Sequence, residues 1–334
     1  MFTRIVVGID FSARSLAAAR WAAQQLAPRA RINFVHVLPD PVEPSFMRLQ
    51  LTEIRALMSD VAEALEGGLK NVGALLAPGR STVTVRRGEV SEQLALAAED
   101  DDAEVICLGR RRSRRGGARF GATTAHRLLT RSRTAVLIIP ATHDAAPSRM
   151  IVALDDHAGR HAVLGTAMHA ARTWNADVHA LHVLSPGLRD LVRSLREADR
   201  SLGDGSDAPE RVDLISDEQA LFGVTQKWLT DQLEAARPDG VRTRVHVGVG
   251  DPGQEIVAHA HASRAGLIVL GRASAPLDVA VPKHPFPLGS TTRLVTWAAP
   301  CAVLVVPSVP VTAPVPKPTR YTGARRRFAG VTAA

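Results

Sequence analysis

The sequence predicts an α/β protein of two tandem doubly wound domains, and three observations carry that prediction. The first is an internal repeat. Arg4-Ile-Val-Val-Gly-Ile-Asp10 returns as Met150-Ile-Val-Ala-Leu-Asp155, and Asn33-Phe-Val-His-Val-Leu38 returns as His179-Ala-Leu-His-Val-Leu184. In the same order, Val85-Arg-Arg-Gly-Glu89 answers Val247-Gly-Val-Gly-Asp251, and Val105-Ile-Cys-Leu-Gly-Arg110 answers Leu267-Ile-Val-Leu-Gly-Arg272. Ala135-Val-Leu-Ile-Ile-Pro140 closes the first copy and Ala302-Val-Leu-Val-Val-Pro307 the second. A unit of roughly 150 residues is a whole domain, far too long for a solenoid repeat. The second observation is alternation: short β-branched runs separated by longer alanine- and leucine-rich amphipathic stretches, the pattern of βαβ units around a parallel sheet. The third is size, since 334 residues at 46% apolar content can bury two ordinary cores.

Taken in order, the first half predicts strands near 3–10, 31–38, 81–87, 104–109 and 135–139, with helices near 12–27, 49–77, 90–101 and 122–131. The strands are continuous apolar runs without alternation, which a sheet covered by helices on both faces requires. The second half repeats the scheme with two insertions. One lies in the polar stretch Ser185 to Ala220, between the second and third strands, and the other lengthens the loop after the fourth strand. The expected domains are 1–142 and 148–307. Residues 308–334, with Pro310, Pro314, Pro316 and Pro318, read as a disordered basic tail.

The net charge of +8 is local. Arg110, Arg111, Arg112, Arg114, Arg115 and Arg119 share one loop, and Lys317, Arg320, Arg325, Arg326 and Arg327 share the tail, which leaves a mildly acidic body. A nucleic-acid interface is disfavoured, because Phe120 is the one aromatic at the arginine loop and no stacking platform or recognised module accompanies it. No apolar run reaches the roughly 20 residues of a membrane span, and the first strand starts too early for a leader. The expectation is a cytoplasmic protein without membrane contact. Cys107 and Cys301 fall in or beside apolar strand runs, as small buried hydrophobes.

Ligands of open α/β sheets bind beyond the carboxyl ends of the strands, where strand order reverses. Asp10, in Val7-Gly8-Ile9-Asp10-Phe11-Ser12, and Gly289-Ser290-Thr291-Thr292 both belong to such ends. With these blocks doubled, the chain closely resembles the universal stress protein family in tandem form, over about residues 1–307. The resemblance implies Rossmann-like or flavodoxin-like domains, each with a five-stranded parallel sheet of order 3-2-1-4-5. It also implies that the two fifth strands face one another, pairing the halves within one chain.

Nucleotide-binding members of that family carry a G-x2-G-x9-G-[ST] loop after the fourth strand. Glycines there let backbone N–H groups approach phosphates, and the hydroxyl residue opens a helix whose N-terminus favours an anion. The resemblance implies ATP or a related adenine nucleotide as ligand. Carried over, the first half offers Asp10, Val37, Gly109, Arg112 in place of the second glycine, Ala122 in place of the third, then Thr123 and Thr124. The second half offers Asp155, Val183, Gly271, Ser274 for the middle glycine, then Gly289, Ser290 and Thr291, in a loop lengthened and stiffened by Pro276, Pro282, Pro285 and Pro287. Both loops are degenerate.

Two histidine pairs, His157 with His161 and His259 with His261, lack the further ligands a zinc site needs, so no metal is expected. His36 and His182 read as strand-end residues with backbone partners, and Asp100-Asp101-Asp102 as a solvated helix end. No nucleophile elbow, Walker lysine or carboxylate pair with a partner base is present, and no catalytic residue is assigned. Three functions stay open. One is a non-catalytic stress-response scaffold that binds a ligand or a protein partner. Another is an ATP-binding switch or weak ATPase using one surviving site. The last is an adaptor recruiting an anionic partner through the arginine loop and tail.

Overall fold

The computed structural model describes residues 2–26, 28–39, 51–110, 123–155, 159–184, 214–272 and 288–307. The expected disordered tail, Arg112, Ala122, His157, Ser274 and the four loop prolines lie outside the described residues. The first half runs β1 (Arg4–Gly8), α1 (Ala13–Trp21), a π-helical turn (Ala22–Leu26), β2 (Arg31–Leu38), α2 (Leu51–Leu76), β3 (Ser81–Arg87), α3 (Val90–Asp100), β4 (Val105–Gly109), α4 (Thr124–Arg131) and β5 (Ala135–Ile139). The second runs β6 (Arg149–Ala153), α5 (Arg160–Trp174), β7 (Asp177–Leu184), α6 (Leu214–Ala236), β8 (Thr243–Val249), α7 (Pro252–Ser263), β9 (Leu267–Gly271), α8 (Ser290–Ala298) and β10 (Ala302–Val306).

Among the described residues, ten strands form one sheet, in the order β3-β2-β1-β4-β5-β10-β9-β6-β7-β8. Each half has the order 3-2-1-4-5, and every pairing within a half is parallel. The halves meet where β5 and β10 pair antiparallel, Leu137 opposite Leu304. Both strands are buried along their whole length. Pairing them hides two apolar edges that would otherwise invite aggregation. Because the junction is antiparallel, the strand ends carrying the candidate sites point in opposite directions.

Helices cover both faces, as continuous apolar strands demand. One core joins α1, α2, α5 and α6 through Trp21, Leu69, Val163, Leu164, Leu229 and Leu233. The other joins α3, α4, α7 and α8 through Leu94, Leu128, Ile256 and Val295. The repeat holds at the level of single hydrogen bonds. His36 Nδ1 lies 2.7 Å from the Ile9 carbonyl and His182 Nδ1 2.8 Å from that of Leu154. Gly88 N–H donates to the Leu38 carbonyl and Gly250 N–H to that of Leu184. These two glycines have φ of 127° and 149°, a backbone conformation that a side chain would strain.

Two segment ends and the reading of the acidic run change. β1 stops at Gly8, and α1 passes into a π-helical turn after Trp21. The acidic run at the end of α3 is engaged with protein: Asp101 accepts from Asn33 Nδ2 at 2.6 Å, Asp100 pairs with Arg86 at 2.6 Å, and Asp102 with Arg4 at 3.8 Å. His259 of α7 stacks on His246 with ring centroids 4.5 Å apart, and its Nε2 lies 3.3 Å from His179 Nδ1.

Candidate ligand site at the strand ends

In each half the strand order reverses between the first and fourth strands, so the ends of β2, β1 and β4 come to one edge. Asp10 is exposed just beyond β1, Val37 is buried near the end of β2, and Gly109 ends β4. Thr123 and Thr124 start α4, which runs back from that edge. In the second half Asp155 follows β6, Val183 lies in β7 and Gly271 ends β9. Gly289 caps α8, with Ser290 and Thr291 opening it. The predicted residues of each half that the structure describes therefore gather at one edge, Arg112 lying outside the described residues.

Several of them are already engaged by the fold. Asp10 Oδ1 accepts from Ser12 N–H at 3.0 Å, and Ser12 in turn caps α1 by accepting from Ser15 N–H at 3.2 Å. Burial alone would raise the Asp10 carboxyl, but hydrogen bonds from Ser12 and Ser15 outweigh it and hold the carboxyl below its usual range. Thr123 Oγ1 caps α4 by accepting from His126 N–H at 3.2 Å. The second half lacks a side-chain cap at both corresponding helices, since Gly159 precedes α5 and Gly289 precedes α8. The buried Thr292, one position beyond Thr291, ties α8 to the end of β9 instead: its Oγ1 donates to the Gly271 carbonyl at 3.3 Å.

Gly109 has a packing reason of its own. A Cβ there would lie 2.7 Å from the Arg14 carbonyl oxygen and 3.0 Å from Ser15 N, both backbone atoms of α1. Helix and strand approach so closely that a glycine is required whether or not a phosphate is nearby. As a test of the implied nucleotide, this residue does not present a bare cradle, and the Asp10 and Thr123 oxygens already serve their own helices.

The structure adds residues that motif reading passed over. Phe11, at φ 57°, occupies the left-handed region, at a cost of roughly 1–2 kcal/mol for an L-residue. Its ring packs 5.4 Å from His36 and against Gly68 of α2, where a Cβ would meet it at 3.2 Å. Glu89 caps α3 and also draws in Arg127 at 3.2 Å and Arg131 at 3.3 Å from α4.

The residues directly after Gly109 and Gly271 are used reciprocally. Arg110 Nη1 donates to the Ala299 carbonyl at the end of α8. Arg272, 4% exposed, donates through Nη1 to the carbonyls of Leu129 at 2.8 Å and Ser132 at 2.7 Å, at the end of α4. Each half thus satisfies terminal carbonyls of the other's helix with a guanidinium, which also suits the negative end of the helix dipole. The signal was in the repeat, which keeps an arginine after each glycine.

Among the described residues, no group of three or more His, Cys, Asp or Glu side chains is arranged to hold a metal, and no helix is long and apolar enough to cross a membrane. Cys107 and Cys301 are buried free thiols, and burial pushes the Cys301 thiol up to about 12.

A doubly wound domain copied once and joined through its fifth strands defines a tandem Rossmann-like α/β protein. Residues 1–140 and 147–307 each match the model of the universal stress protein family, and the chain belongs to that family. Among solved structures, a universal stress protein from Archaeoglobus fulgidus DSM 4304 aligns with 92% of this chain and 99% of its own at 17% identity, with a TM-score of 0.59. A putative universal stress protein from Pseudomonas aeruginosa UCBPP-PA14 aligns with 92% of this chain and 93% of its own at 15% identity and a TM-score of 0.51. These likenesses speak to the fold. A shorter Archaeoglobus fulgidus universal stress protein, solved in complex with dAMP, aligns with 47% of this chain and 96% of its own at 22% identity and a TM-score of 0.27. No curated protein matches the sequence.

Proposed function

We propose that this tandem universal stress protein acts as a non-catalytic stress-response scaffold, a rigid paired body that works through a partner or ligand rather than by turning over a nucleotide. The reciprocal arginines carry this reading: residues bordering each former phosphate loop tie one half to the other. Glycine and hydroxyl positions that resemble a phosphate cradle have architectural duties that explain them without a nucleotide. The mildly acidic body with a concentrated arginine loop suits a protein partner of complementary charge.

One observation favours the rival nucleotide switch. Asp10 and Thr123 are exposed at the same strand edge in the first half, within reach of a ligand entering there. Calorimetry with ATP and Mg²⁺ separates the readings. The scaffold reading expects no heat with the natural chain at millimolar ATP and binding restored, if anywhere, in Arg112→Gly. A micromolar Kd for the natural chain, lost in Asp10→Ala, overturns it in favour of the switch.

A further inference from the structure

The first helices of the two halves are repeat equivalents, and five of their buried positions coincide. Ala18 and Ala19 correspond to Val163 and Leu164, Ala22 and Ala23 to Ala167 and Met168, and Leu26 to Ala171, all buried. This register places Thr166 where the first half has Trp21. Trp21 is 2% exposed, its indole N–H donates to the Ala145 carbonyl at 3.0 Å, and its ring lies 5.2 Å from that of His143. The segment joining the halves lies over it: Gln25 Nε2 reaches the Asp144 carbonyl at 3.5 Å, and Pro147 Cα would sit 2.9 Å from a Cβ at Gly266.

Across the pseudo-twofold axis the smaller Thr166 leaves a cavity of about 270 Å³, formed by both halves. Phe2, Leu26 and Trp174 supply apolar walls, and Thr166, His169 and Glu104 supply polar groups. Trp174 is held by its indole N–H, which donates to the Gln25 carbonyl at 2.7 Å. Glu104 is positioned by Thr3, whose N–H and Oγ1 donate to it at 3.1 and 2.5 Å. The described lining contains one carboxylate and neither lysine nor arginine. A cavity slightly under the ~300 Å³ at which small-molecule sites begin admits one or two fused rings.

We infer that this cavity is a binding site for a small arylalkylammonium compound. The ring takes the place that the Trp21 indole fills in the other half, and the ammonium meets Glu104. An aromatic wall and a carboxylate together favour such a cation over a neutral or anionic ring. The site is independent of the strand-end site and of its ligand.

Isothermal titration calorimetry of the full chain with tryptamine tests this, with indole-3-acetate as the anionic counterpart. Tryptamine is expected to bind one per chain, at least tenfold more weakly to Glu104→Gln and not measurably to Thr166→Trp, with indole-3-acetate silent. Thr166→Trp should melt no lower than the natural chain, because it installs the side chain the other half already buries. Should it misfold, Gly165→Leu serves instead, since a Cβ at Gly165 meets nothing within 4 Å. No heat from tryptamine at millimolar concentration, equal binding to the filled variant, or equal affinity for indole-3-acetate overturns the assignment.

Discussion

Replacing Arg272 by alanine should destabilise the whole chain, because this guanidinium joins the halves from a buried position. It is 4% exposed, and its Nη1 serves the Leu129 and Ser132 carbonyls at 2.8 and 2.7 Å. Hydrogen bonds to charged groups contribute about 1.5–3 kcal/mol each, and losing the donor leaves two helix-terminal carbonyls without it. Removing a desolvated cation offsets part of that loss, so a net cost of about 2–4 kcal/mol is expected. Arg110, half-buried and donating to the Ala299 carbonyl, should cost about 1–2 kcal/mol. Lysine at 272 should recover less than half, since an ammonium is more strongly hydrated than a guanidinium and costs more to bury. Urea unfolding followed by circular dichroism and by tryptophan emission measures this, with Trp21 and Trp174, 6.0 Å apart across the halves, reporting the junction. Should both Arg272→Ala and Arg110→Ala fall within about 0.5 kcal/mol of the natural chain, the arginine tie is not what holds the halves.

Glycine substitutions should separate packing from propensity. Gly109→Ala places a Cβ 2.7 Å from the Arg14 carbonyl and should cost about 1–3 kcal/mol, whereas Gly67→Ala, in the open on α2, should stabilise by about 0.5–1 kcal/mol. Thermal melts of the pair check the contrast, and equal effects would contradict it. Stability should also fall in acid. Burial, and then His246, His179 and Arg149, hold the His259 imidazole down at about 4, while in the unfolded chain it titrates near 6.5. The unfolded state therefore takes up a proton first. The contribution is complete above pH 6.5 and is lost as pH falls towards 4, by about 1–2 kcal/mol once partial exposure is allowed for. His259→Ala, which installs the residue of the matching position Ala97, should flatten that acid limb in denaturant titrations, and an unchanged slope would exclude His259 as its source.

Of the site, what could be read in advance was its location. Asp10, Gly109, Thr123 and their counterparts are local features of strand ends and helix starts, so their place in the chain already indicates the edge they share. Their duties were not legible. That Gly109 faces the Arg14 backbone depends on how closely α1 lies across β4, a distance between segments far apart in sequence. The spacing of the histidine pair at 259 and 261 said nothing of their partners beyond the want of further metal ligands. His259 looks inward to His179 and His246 on neighbouring strands, because the face of α7 that carries it is turned to the sheet.

The repeat, the five strands of each half and their continuous apolar character follow from short-range pattern alone, since hydrophobic periodicity and order of elements are properties of the chain before it folds. The antiparallel junction of β5 and β10, the crossing of Arg110 and Arg272, and the cavity left where Thr166 replaces Trp21 arise only when two copies meet. Duplication makes the halves alike, and each small departure acquires its meaning from the surface that the other half lays against it.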